Sequence, residues 1–141
     1  MYIDSAYIVK YYVHEANSAA VREILRKAES PASSALAIAE VTCAFHRRLR
    51  EGNLTGDLFQ EVLGSFLKHV EAGAWSIAPV DDRVLRRVSR MLRLAPASLY
   101  LRSGDAVHLA TALEIGEFEV WTSDRHMLAA APHFGLIGRT A

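Results

Sequence analysis

Apolar residues recur along the chain in two rhythms, and the alternation between them lays out the elements. "MYID" is a short apolar run ending at an acid, Asp4, and predicts a strand; "AYIVKYYV" follows it directly at helical spacing. "NSAAVREILRKA" continues the helical pattern through Val21, Ile24, Leu25 and Ala28, and "ESPASS" breaks it. "ALAIAEVTCAFHRRLREG" predicts a helix capped by Ser33 or Ser34 and stopped at Gly52. Thr55 caps "GDLFQEVLGSFLKHVEAG", where Leu58, Phe59, Val62, Phe66 and Val70 form the core face. "WSIAPV" predicts a buried strand, and "DDRVLRRVSRMLRLA" a helix with Val84, Leu85, Val88 and Leu92 on one side. "LRSGDAVHLATAL" predicts a helix with Ser103 as its cap; "FEVWTSD" predicts a strand, a short helix begins near Arg125, and "GLIG" is a last apolar piece.

Strands separated by helices pair in parallel, because each crossover returns the chain to the same edge, and helices then cover both faces of the sheet. The expectation is an α/β sandwich. No repeat or linker divides the 141 residues, so one domain over 1–141 is expected. In such sheets ligands gather beyond the carboxyl ends of the strands. Asp4 closes one predicted strand and Asp124 follows another, so two acids from opposite ends of the chain are expected at one edge.

Two further acids stand where apolar residues dominate. Asp105 shares a helical stripe with Leu109 and Ala112, with His108 and Leu113 beside it. Glu40 lies among Ala37, Val41 and Ala44 with no Lys or Arg at positions 36, 37, 43 or 44 to pair with it. Each acid has an ordinary explanation: a first-turn acid favoured by the helix dipole, a solvated mid-helix Glu, a turn or cap residue. A buried carboxylate nonetheless needs a partner, and carboxylates that share a site repel until one is protonated. A divalent cation removes that conflict. Mg²⁺ and Mn²⁺ prefer oxygen ligands and combine a few carboxylates with substrate phosphate, and such an ion activates water against a phosphodiester. The constellation thus suggests metal-assisted phosphodiester hydrolysis with Asp4, Glu40, Asp105 and Asp124 as ligands, directly or through water. Ser5 and Ser123 are candidates to orient a ligand or phosphate, with an ordinary turn role as the alternative.

Composition narrows the partners. Acidic and basic side chains both number 16, so contact with a polyanion must be local rather than global. Arg supplies 13 of the basic residues, which suits bidentate phosphate contacts. Cys43 is the only cysteine, which excludes an internal disulfide and a cysteine zinc cluster, and a reducing cytoplasm is the expected compartment. No apolar run approaches the roughly 20 residues of a membrane span. The histidines show no paired zinc spacing, and neither a phosphate-binding GxxxxGK loop nor a GxSxG elbow is present.

"MYIDSAYIVKYYVHE", "ASSALAIAEVTCAFHRR", "SGDAVHLATAL" and "VWTSDRHMLAAAPHFGL" together resemble the PIN domain, most closely the VapC-type toxins of toxin–antitoxin pairs. The resemblance runs from residue 1 to about 137. It implies a three-layer α/β/α fold around a parallel sheet, Mg²⁺- or Mn²⁺-dependent ribonuclease activity, a homodimer and inhibition by a cognate antitoxin. Motif for motif, the family's three main acids fall on Asp4, Glu40 and Asp105, and its more variable fourth on Asp124. Gly104 departs from the pattern, since an apolar residue more often precedes the third acid.

Other features compete for a role. The stripe Arg83, Arg86, Arg87, Arg90 and Arg93 reads as a solvated face or as an RNA or antitoxin contact, and "FHRRLR" at 45–50 carries the same ambiguity. His108 reads as a satisfied core histidine or a catalytic acid. Tyr11, Tyr12, Phe59 and Phe66 read as packing or dimer contacts rather than base-stacking platforms. Two rival functions stand beside the nuclease. One is a PIN-fold binding protein without turnover; the other is a phospho-accepting signalling module, disfavoured because no lysine follows Lys68.

Overall fold

A computed structural model describes residues 1–141. The elements run β1 (Tyr2–Ile3), α1 (Ser5–Tyr12), α2 (Ser18–Lys27), β2 (Ala32–Ser34), α3 (Leu36–Arg50), α4 (Gly56–Glu71) and β3 (Ser76–Ala78). They continue with α5 (Asp82–Leu94), α6 (Ser103–Glu114), β4 (Glu119–Trp121), α7 (Arg125–Ala130), a 3₁₀ turn (Ala131–Phe134) and β5 (Ile137–Arg139). All strands are parallel and form one sheet in the order β3-β2-β1-β4-β5. Tyr2 of the central strand lies opposite both Ala32 and Val120.

The pleat of β1 explains the three layers. Successive side chains point to opposite faces, so Tyr2 joins a core with Val84, Met91, Leu109 and Met127, whereas Ile3 joins one with Tyr7, Val41, Phe45 and Phe66. The first core lies under α5, α6 and α7, the second under α1 to α4. Both strand residues are fully buried, as expected of a parallel sheet covered on both sides.

Several local expectations are corrected. The "ESPASS" break contains β2, a strand without β-branched residues. It forms because its backbone pairs between β1 and β3, while the Ser33 hydroxyl donates to the Ile3 carbonyl at 2.8 Å. Strand β3 is an edge strand with Ser76 exposed, rather than fully buried. On α5 the buried positions are Val84 and Met91, with Val88 partly covered; Leu85 and Leu92 are 51% and 43% exposed. A helical period marks an apolar arc without saying which side of it a neighbour covers, and α6 covers one side only. Leu58 is exposed for the same reason on α4, where Phe66 alone is fully buried. Ser103 does not cap α6: it is the first helical residue, and Arg102 takes the cap position without a side-chain bond.

The α4 cap follows the sequence. Thr55 accepts from Leu58 N–H, whereas Ser33 and Ser34 belong to β2 and the cap position of α3 is Ala35, without a side-chain bond; the Ser34 hydroxyl accepts only from the first helical N–H, Leu36, at 3.1 Å. Gly52, at φ +75°, follows α3 in a left-handed conformation that favours glycine.

Candidate active site

The carboxyl end of β1 delivers Asp4, and the local fold fixes it twice. Its Oδ1 caps α1 by accepting from Tyr7 N–H at 2.9 Å, and its Oδ2 accepts from the Thr122 hydroxyl at 2.5 Å. Thr122 follows the neighbouring strand β4, so the register between β1 and β4 creates this bond. Asp4 is only 5% exposed, and burial raises its carboxyl above the ordinary range despite the two hydrogen bonds. Asp124 divides its oxygens similarly. Oδ1 caps α7 by accepting from His126 and Met127 N–H at 2.7 and 3.1 Å, which leaves Oδ2 directed elsewhere.

Glu40 comes from the other wall, α3. It accepts from the Ser5 hydroxyl and from His108 Nε2–H, the latter at 2.8 Å. Burial pushes the Glu40 carboxyl up, but the bonds from His108 and Ser5 and the charge on Arg102 outweigh it and hold the group below its ordinary value. His108 is itself buried and bonded on both sides, since its Nδ1 lies 2.8 Å from the Tyr2 hydroxyl. Burial holds the Tyr2 phenol well above its ordinary range, so it stays protonated. The Glu40 carboxylate can only accept, so Nε2 of His108 carries the hydrogen that faces it. His108 is therefore a satisfied core histidine, and it also holds an acid of the site.

Asp105 sits in the first turn of α6, and Arg102 links it to Asp124. The Arg102 guanidinium donates to Asp105 through Nε at 2.8 Å and through Nη2 at 3.4 Å, and Nη2 also reaches Asp124 Oδ2 at 2.8 Å. Gly104 now acquires a reason: a Cβ there would lie 2.8 Å from Glu40 Oε1, so only glycine gives that carboxylate its present place without a shift.

These residues open into one cleft of about 960 Å³. Asp4, Ser5, Glu40, Asp105, Asp124, His108 and Arg102 form one end, and Arg47, Arg48 and Arg50 of α3 line the wall with Phe59. His46 and the three arginines of the "FHRRLR" stretch thus share the cleft with the acids, although Arg48 is engaged by Glu15. The other arginine stripe does not reach this cleft. It lies on α5 across the sheet, where Arg83 and Arg86 pair with Asp81 and Asp82 and Arg87 pairs with Glu114. Ser123 is exposed and accepts from Lys10 Nζ at 2.9 Å, which leaves Ser5 as the serine bonded to the site.

No three Asp, Glu, His or Cys side chains close around a common point. A hard divalent ion does not need such a cage, because Mg²⁺ is commonly held by one or two carboxylates together with substrate phosphate. The donor chemistry fits: oxygen ligands share one cleft, and a guanidinium already occupies a cation position between two of them. Sequence reasoning missed Arg102 and Thr122. The first had a signal, an arginine three residues before a core-stripe acid, whereas Thr122 becomes visible only through strand register.

The PIN domain, as a family, matches residues 1–132. The chain belongs to the PIN-domain family. This PIN domain is 36% identical over 138 residues, covering 96% of the chain and 93% of the relative, to ribonuclease VapC46 of Mycobacterium tuberculosis. Among solved structures, its fold matches FitAcB from Neisseria gonorrhoeae with a TM-score of 0.74 at 20% identity, over 97% of this chain and 94% of that one. It also matches VapC20 of Mycobacterium tuberculosis, a toxin that cleaves the sarcin–ricin loop, with a TM-score of 0.73 at 12% identity over 92% and 93% of the two chains. At those identities the structures establish the three-layer fold of this PIN domain. Dependence on a divalent metal goes with the family in general. No helix of the chain is long and apolar enough to cross a membrane.

Proposed function

We propose that this PIN domain is the toxin of a toxin–antitoxin pair, an endoribonuclease that hydrolyses RNA phosphodiester bonds with Mg²⁺ or Mn²⁺. The observation that carries the reading is one cleft that gathers Asp4 and Asp124 from strand ends and Glu40 and Asp105 from helices α3 and α6, with an arginine-lined wall beside them. Acids alone would repel RNA; the arginines of α3 offset that repulsion where the backbone must lie.

Asp4, Glu40, Asp105 and Asp124 would hold the ion, directly or through water. An ion held there would supply an acidified water as nucleophile and offset the negative charge that develops at the phosphate, and hydrolysis would leave a 5′-phosphate and a 3′-hydroxyl. The protein's own contribution is placement. Thr122 and the α1 amide fix Asp4, while Ser5 and His108 fix Glu40 and favour its charged form. Arg47 and Arg50 draw the RNA backbone along the cleft. The family relationship supports a cognate antitoxin as inhibitor and a homodimer as the working form, with residues 1–141 as one nuclease unit. The RNA substrate and the lone, unpaired Cys43 fit a cytoplasmic site of action.

Purified protein is expected to cleave RNA with Mn²⁺ or Mg²⁺, to stop on addition of EDTA, and to lose activity in Asp4→Asn and Asp105→Asn. Cleavage that survives either substitution would refute the assignment.

A further inference from the structure

We propose that Arg102 is a built-in counter-ion of the active site, one that a divalent metal must displace from Asp105 and Asp124 before it can bind. The inference rests on the metal-dependent reading above and adds an element of regulation to it.

The geometry makes the two cations competitors. Asp124 spends Oδ1 on the backbone N–H groups of His126 and Met127, so Oδ2 is the oxygen left for a cleft cation, and Arg102 Nη2 takes it at 2.8 Å. Asp105 turns both oxygens to the same guanidinium, at 2.8 and 3.4 Å. Those are the oxygens by which either acid would reach an ion in the cleft. A divalent ion beside an undisplaced guanidinium would also face a like charge at close range.

Displacement is feasible because the guanidinium is not locked in. The Arg102 side chain is 59% exposed, against 14% for Asp105 and 26% for Asp124, so it can leave into solvent while the carboxylates stay in place. Its side-chain hydrogen bonds all go to the two acids. Without it, the metal-free site would hold neighbouring carboxylates with nothing between them. Arg102 thus stabilises the metal-free enzyme and raises the metal concentration at which the active form appears.

The test is Mn²⁺ titration of metal-free protein by isothermal calorimetry for wild type, Arg102→Gln and Arg102→Lys, with thermal melts and circular dichroism on the same samples. Arg102→Gln is expected to bind Mn²⁺ roughly three- to tenfold tighter, a range set by the modest strength of solvent-exposed ion pairs. It should melt below wild type in EDTA and draw level with it in saturating Mn²⁺. Arg102→Lys, which keeps the charge without the fork that spans two carboxylates, should fall between. Equal or weaker Mn²⁺ binding by a folded Arg102→Gln, with wild type binding normally, overturns this inference and leaves the nuclease reading intact. No Mn²⁺ binding by either protein overturns both.

Discussion

Replacing Asp4 by asparagine is expected to abolish cleavage and at the same time make the metal-free protein more stable. The carboxylate is 5% exposed and accepts from Tyr7 N–H and the Thr122 hydroxyl. Removing the charge weakens both bonds, by about 1 kcal/mol each on the difference between charged and neutral hydrogen bonds. It also removes a burial penalty of about several kcal/mol. The raised pKa of Asp4 shows that the penalty exceeds the two bonds. A net gain follows, and each kcal/mol of it raises the melting temperature by about 3 °C for a chain of this size.

The pH dependence has a definite sign. Because the folded pKa lies above the ordinary 3.8, the folded protein holds more protons than the unfolded chain between those two values. Wild-type stability therefore falls as pH rises through that window, and the whole deficit is present above the folded pKa. The Asp4→Asn variant has nothing to titrate at this position. Its advantage should be greatest above the folded pKa and shrink as pH falls toward the ordinary carboxyl value of 3.8. Melts followed by circular dichroism in EDTA at both ends of that range are the assay. A variant that melts at or below wild type at the alkaline end, or whose advantage does not grow as pH rises, would refute the reasoning.

Gly104→Ala should separate stability from function. Alanine favours the helix by up to about 1 kcal/mol, yet its Cβ displaces Glu40 Oε1, so an unchanged or slightly higher melting temperature with a clear fall in RNA cleavage is expected. His108→Leu removes the partner of the Tyr2 hydroxyl and leaves the half-buried Glu40 carboxylate with Ser5 alone, and a loss of about 1–3 kcal/mol in denaturant titrations is expected. Arg47→Ala and Arg50→Ala should each weaken RNA binding and lower the slope of log affinity against log salt by about 1, whereas Arg90→Ala on α5 should leave that slope unchanged.

Much of this architecture is written in local pattern. The alternation of strand and helix, the capping by Thr55 and the break at Gly52 depend on neighbours within a few residues, so they are legible in one dimension. The acids follow the same logic. Asp4 and Asp124 stand after apolar runs, and a parallel sheet brings all its strand ends to one edge, so their meeting follows from element order. Asp105 and Glu40 stood out because an unpaired acid on an apolar helix face is costly.

Tertiary structure decided whatever depends on which face meets which neighbour. Strand β2 exists through pairing on both sides and not through the propensity of Ala-Ser-Ser. The two arginine-rich segments look alike as sequence, but α3 carries one into the cleft while α5 holds the other across the sheet. Arg102 could be counted from the sequence, but its grip on two acids far apart in the chain required α6 and the start of α7 to be placed side by side. The physical reason is range: backbone propensity and periodicity act over one or two turns, whereas electrostatic partnership is set by distances that only packing determines.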